Sequence, residues 1–166
     1  MNYIVVIILL LVVAMVVGPV AMLRPSPAQK KRDALRLRAR QLGVAVHLRL
    51  PPSAATATEK ASHMAAYCIH HKGVGCWQLV RASFAHEIHL NEWWQFQAAK
   101  PGQAVRNFLS QTIDELPRGV VAVTAQGQEV AVYWKEWGEA GNVDQLTGFL
   151  QKLAQVASVS EGSPDT

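Results

Sequence analysis

From Tyr3 to Leu23 the chain carries no charged side chain, and Ile, Val, Leu, Met and Ala fill nearly every position. As a helix rising 1.5 Å per residue, such a run is about 30 Å long, the thickness of a bilayer's hydrocarbon core. A cleaved secretory signal would need a basic n-region and a small-residue cleavage site. Met1, Asn2 and Tyr3 offer no basic group, and Ala21, Met22, Leu23, Arg24, Pro25 is no A-x-A ending. The reading is a retained transmembrane helix over 3–23, with Gly18 and Pro19 near its end, as membrane helices tolerate.

Charge then sets an expected orientation. No basic residue precedes the span, whereas Arg24, Lys30, Lys31, Arg32, Arg36, Arg38 and Arg40 follow it against one acid, Asp33. Basic residues beside a span are retained on the cytoplasmic side. The N-terminus is therefore expected outside a bacterial inner membrane, the rest of this single-pass chain in the cytoplasm, and Cys68 and Cys76 as thiols. Residues 1–40 hold seven of the sixteen Lys and Arg, while residues 41–166 hold nine against eleven acids. Basicity is a juxtamembrane property suited to anionic headgroups, with Arg36, Arg38 and Arg40 as candidate lipid contacts. No basic and aromatic platform for nucleic acid is present.

Beyond the span, Leu35, Ala39 and Leu42 repeat at helical spacing among the arginines, predicting a basic juxtamembrane helix within 24–43 that stops at Gly43. Val44, Val46, Leu48 and Leu50 alternate with more polar residues as in a half-buried strand, ended by Pro51 and Pro52. Residues 53–62 read as a connector. Two strand-like runs, Met64 to His70 and Gly75 to Ser83, flank Gly73 and suggest a hairpin. Residues 85–100 show no clear period and read as irregular or partly helical. The stripe Val105, Phe108, Leu109, Thr112, Ile113, Leu116 predicts a helix stopped by Pro117. Val121, Val123 and Ala125, a Gln126-Gly127 turn, then Val130, Val132 and Trp134 predict a second hairpin. Asn142 and Gln145 resemble a capping box before Leu146, Phe149, Leu150 and Leu153. The expected fold is α+β: a transmembrane helix, then, over 44–157, about five antiparallel strands with helices on one face, and a disordered tail at 158–166.

The chemistry-bearing residues are few. Cys68, His70, His71, Cys76, His86 and His89 are suitable zinc or copper ligand types, but without finger-like spacing, so a metal-binding or redox domain using Cys68, His70, Cys76, His86 or His89 is an alternative and no cofactor is assigned. Acid and base groups at His86, Glu87, His89, Glu92, Glu136 and Glu139 fit no catalytic motif; His86 to His89 reads H-E-x-H, one residue short of a zinc-protease helix, and no enzyme activity is expected. The adjacent Trp93 and Trp94 cannot both face one core in a strand. With Phe96 they are the candidate partner-binding surface.

An apolar span ending Leu23, Arg24, Pro25 and followed by Gln29, Lys30, Lys31, Arg32 resembles the YajC family, accessory subunits of the bacterial Sec translocon. The resemblance covers that junction alone. It implies one N-terminal helix, a small cytoplasmic domain and, as an alternative function, a translocon accessory role. The family's glycine-rich β motif is missing here, and the extra helix and tryptophans are departures, so no functional residue is carried over. The expectation is a membrane-tethered interaction or accessory domain, bound to the bilayer through 3–23, to anionic headgroups and to a membrane or cytoplasmic protein.

Overall fold

The computed structural model describes residues 2–22, 26–52, 62–97 and 99–161. Two compact units divide the chain, Met1–Asp33 and Ala34–Thr166. In the first, α1 (Asn2–Met22) is a helix of 21 residues whose assignment runs unbroken through Gly18 and Pro19. Among the described residues no helix is long and apolar enough to cross a membrane. The break expected at Pro25 and the connector at 53–61 lie outside the described residues.

Helix α2 (Pro27–Gln41) begins where Ser26 Oγ accepts the Gln29 N–H at 3.2 Å, with Pro27 in the first helical position, where its missing N–H costs nothing. It ends as expected at Gly43, whose φ of 78° favours glycine and lets Val44 N–H return to Ala39 O at 2.9 Å. Leu35 and Ala39 are buried and Leu42 packs against the same core.

Six antiparallel strands follow: β1 (Ala45–Arg49), β2 (Met64–His70), β3 (Cys76–Arg81), β4 (Trp94–Gln97), β5 (Val120–Gln126) and β6 (Glu129–Trp134). Their order across the sheet is β1-β2-β6-β5-β3-β4. Thus the first expected hairpin does not form. β2 pairs with β1 and β6, β3 pairs with β5 and β4, and the β5–β6 hairpin is inserted between them. The link from β2 to β3 instead crosses the tip of that hairpin: His71 N–H donates to Gln128 O at 2.9 Å, and Gly127 N–H to Gly75 O at 3.0 Å. Gly73 does take the expected positive φ, 68°, but in a crossover. A turn signature fixes local backbone, not which strand becomes the neighbour.

The β5–β6 hairpin is present with its turn one residue later than expected. Gln126 pairs with Glu129, so Gly127, at φ 63°, and Gln128 form the two-residue loop. A bulge between Val120 and Ala122 also changes the face that Val121 presents: Val120 joins Val123 and Ala125 in the main core, while Val121 packs with the opposite cluster. The sixth strand, β4, arises from the segment without a clear period, because four residues are too few for alternation to show.

One sheet face, with Tyr67, Trp77, Leu79, Val132 and Trp134, packs on α2, α3 (Gln103–Thr112) and α4 (Ala140–Glu161), as the expectation of helices on one face has it. The other face carries a smaller cluster drawn from strands alone, including Ala66, Cys68, Ala122 and Ala131. On α3 the predicted stripe buries Val105 and Leu109, and Ile113 continues it into a 3-10 turn, Ile113–Glu115. On α4, Leu146, Leu150 and Leu153 are fully buried. The capping box does not form, since α4 starts at Ala140 and Asn142 Oδ1 accepts the Glu139 N–H at 2.9 Å, while Gln145 donates to Glu115 O. Nor does the tail begin at 158: α4 continues to Glu161, and 162–166 lie outside the described residues. β1 is an edge strand whose outer end leaves the core, so Leu48 and Leu50 are exposed rather than half-buried.

Candidate functional site

The residues expected as ligands or partner contacts fall into three places. Cys68 lies mid-strand in β2 and is fully buried; Cys76 is exposed at the start of β3. Three strand spacings separate β2 from β3, about 14 Å, so Cys68 and His70 cannot share an ion with Cys76. Burial pushes the Cys68 thiol up to about 12, the nearby Glu129 carboxylate adding to the shift. Among the described residues no group of three His, Cys, Asp or Glu could hold a metal ion.

The arginines expected at lipid headgroups are mostly committed elsewhere. Arg36 Nε and Nη2 donate to Glu136 Oε1 and Oε2, both at 2.7 Å, a bidentate pair in which the Glu136 side chain is only 5% exposed. Tyr67 Oη donates to the same carboxylate at 3.3 Å. Burial raises the Tyr67 hydroxyl above its ordinary value, and the Glu136 charge raises it further, so the phenol remains a donor. Glu136 sits at φ 58°, in a region a non-glycine residue adopts at a cost, and the fork of Arg36 helps hold it there. Arg38 Nε reaches Asp144 Oδ1 at 2.9 Å. Of the three candidates Arg40 is exposed, as are Lys30, Lys31 and Arg32 of the same helix.

Segment 82–100 holds the third group. Trp94 is buried at 4% exposure while Trp93 is 41% exposed, so adjacent residues on alternating sides of the chain divide between core and surface as strand geometry requires. The Arg81 guanidinium lies 5.9 Å from the centre of the Trp93 ring. Before β4 the chain turns tightly, with Leu90 and Trp94 exchanging N–H to O bonds of 2.7 and 2.9 Å across Asn91, Glu92 and Trp93. Of these three residues, Asn91 and Glu92 have positive φ, 47° and 65°. Asn91 Nδ2 donates to Ser110 O at 2.8 Å and to Asp114 Oδ2 at 2.6 Å, tying this strained turn to α3 and the 3-10 turn that follows it.

Beside that turn opens a cleft of about 550 Å³, lined by Phe84, His86, Ile88, His89, Leu90, Trp94, Gln95, Phe96, Lys100 and Arg106. Phe84 packs its ring against both histidines, 6.4 Å from His86 and 5.7 Å from His89, and the histidine rings lie 5.5 Å apart. Their hydrogen bonds assign different tautomers. His86 Nδ1 must accept, because its partner is the Ile88 N–H at 3.2 Å, which puts the proton of the neutral ring on Nε2. His89 Nδ1 must donate, because its partner is Glu92 O at 3.2 Å, which leaves Nε2 as the acceptor. The pair therefore presents one donor and one acceptor, and ligation of one metal by both Nε2 atoms would require breaking the His86 to Ile88 bond. Sequence reading found Trp94, Phe96, His86 and His89 but missed Lys100 and Arg106, which come from beyond β4 and from α3. No local pattern links them. No protein-family model, no curated protein and no solved structure matches this chain.

Proposed function

We propose that this chain is a single-pass inner-membrane protein, anchored by 3–23, that presents its α+β domain to a partner on the cytoplasmic side. One observation carries the reading: every side chain from Tyr3 to Val13 is more than half exposed and all but the Tyr3 hydroxyl is apolar, so this stretch of α1 is hydrophobic all round with its surface uncovered. A helix of that kind needs lipid or protein around it. The step from a charge-free span to a run of basic residues supplies the direction of insertion. Arg40, Lys30, Lys31 and Arg32 are the side chains suited to anionic headgroups, since Arg36 and Arg38 have carboxylate partners. For the partner, exposed Trp93 and half-buried Phe96 offer aromatic contact area, whereas Trp94 belongs to the core.

The test is a fusion after Leu42 of one reporter active only in the cytoplasm and, separately, one active only in the periplasm. Cytoplasmic activity, with the chain resisting alkaline extraction from membranes, is the expected result. Periplasmic activity would reverse the orientation, and release by alkali would remove the anchor. Crosslinking in intact membranes through position 93 would then identify the partner, and capture of translocon subunits would point to the accessory role that the junction resemblance implies.

A further inference from the structure

The cleft between β4 and α3 has a chemical bias that neither its aromatic walls nor the tryptophan pair explains. Three of its lining residues carry nitrogen groups that can donate hydrogen bonds or bear positive charge: His86, Lys100 and Arg106. Among the described residues no Asp or Glu lines it. Arg106 Nε is buried and has no hydrogen-bond partner among the described residues, a costly state for a donor on a charged group. His86, with Nδ1 engaged by a backbone N–H, has a further donor at Nε2. Around these polar groups stand Phe84, Ile88, Leu90, Trp94 and Phe96, and the volume of about 550 Å³ lies in the range of small-molecule sites.

We infer that this cleft is a binding site for a small oxyanion carried on an apolar body, a carboxylate or a phosphate monoester, with the anion held by Arg106 and Lys100 and the body by Phe84, Ile88 and Phe96. The oxyanion takes charge-assisted bonds, stronger than neutral ones, from the Lys100 ammonium and the Arg106 guanidinium. A cationic ligand is disfavoured by the lining charge. This inference does not depend on the membrane reading, because the cleft is built entirely within the unit 34–166.

The experiment is calorimetric titration of the full chain in neutral-detergent micelles with 2-naphthoate, 1-naphthyl phosphate and the uncharged 2-naphthamide, each corrected by a micelle-only blank. At least one anion is expected to bind saturably, at least tenfold more tightly than the amide, and the tighter of the two anions identifies the headgroup class. Arg106→Gln and Lys100→Gln should each weaken that anion about tenfold while leaving the circular dichroism spectrum unchanged; Arg118→Gln, outside the cleft, should leave it unaltered. Should Arg106→Gln fail to fold, Lys100→Gln alone decides. Equal affinity for anion and amide, unchanged affinity in a folded cleft variant, or no saturable binding of either anion at millimolar concentration would each overturn the assignment. A topology result against membrane insertion would leave this measurement standing.

Discussion

The arginines around α2 and β1 and the cations around β4 and α3 are the same residue types in opposite circumstances. Arg36, Arg38 and Arg49 each have a carboxylate from elsewhere in the chain, Glu136, Asp144 and Glu129 respectively, separated by 80 to 106 positions in sequence. Arg106 and Lys100 instead line a cleft that has no Asp or Glu in its lining among the described residues, where the Arg106 Nε also has no acceptor. The acids come from β6 and the chain just beyond it and from the first turns of α4. A long-range pair closed by the fold is a structural joint, and a cation left facing an apolar cavity is a recognition surface. The chemistry is identical, and only the partner differs.

The largest test of this contrast is at the tryptophans. Trp94→Ala should cost about 3–5 kcal/mol, the usual range for truncating a buried aromatic, and should collapse the cleft it lines. Trp93→Ala should cost about 0.5–1 kcal/mol, the scale of the Arg81 contact it loses, and should instead reduce partner crosslinking. Thermal unfolding of both variants measures the gap. Equal, large losses would place both rings in the core and remove the exposed aromatic surface.

Next in size is the Arg36 joint. Arg36→Ala leaves the Glu136 carboxylate buried without its fork, and should destabilise the domain by about 3 kcal/mol, whereas replacing both Arg36 and Glu136 by Leu should recover most of that loss. Urea denaturation of the single and double variants checks it. A loss below about 0.5 kcal/mol in the single variant would mean water replaces the guanidinium and the joint is weak.

The smallest effect belongs to the partly exposed pair of Arg49 and Glu129. The hydrogen bond from Arg49, chiefly, holds the Glu129 carboxyl below its ordinary value, against opposing desolvation. Because the folded value is depressed, the stabilisation is fully present above the unfolded value of about 4.5 and is lost as pH falls through the folded one. Glu129→Gln should cost about 0.5–1 kcal/mol at pH 7 and lessen the acid sensitivity of the urea midpoint below pH 4.5. An identical midpoint against pH in wild type and variant would assign the acid response to other carboxylates.

Much of the element list was legible in sequence because it rests on local periodicity. Leu35 and Ala39 at helical spacing, the stop at Gly43, the apolar stripes of α3 and α4, and the existence of the β5–β6 hairpin all depend on neighbours within a few turns or one loop. The sixth strand was not, since Trp94 to Gln97 is too short for a period and its assignment depends on β3 lying alongside. The candidate site was half legible. Adjacent tryptophans announced that one must leave the core, but nothing local brings Lys100 and Arg106 to the histidines.

Side chains a few positions apart were enough to show that most of the helices and strands exist, which helix faces are apolar and where charge is concentrated, though not every boundary, as the shifted β5–β6 turn and the start of α4 show. Tertiary structure alone decided that β2 and β3 are held three strand positions apart by an inserted hairpin, which dismantles the Cys68, His70 and Cys76 cluster. It also decided which arginines are paired and which are not, and which tryptophan is buried. Strand neighbours and ion-pair partners are chosen by how the whole sheet packs on its helices, over separations at which the chain carries no local record of the outcome.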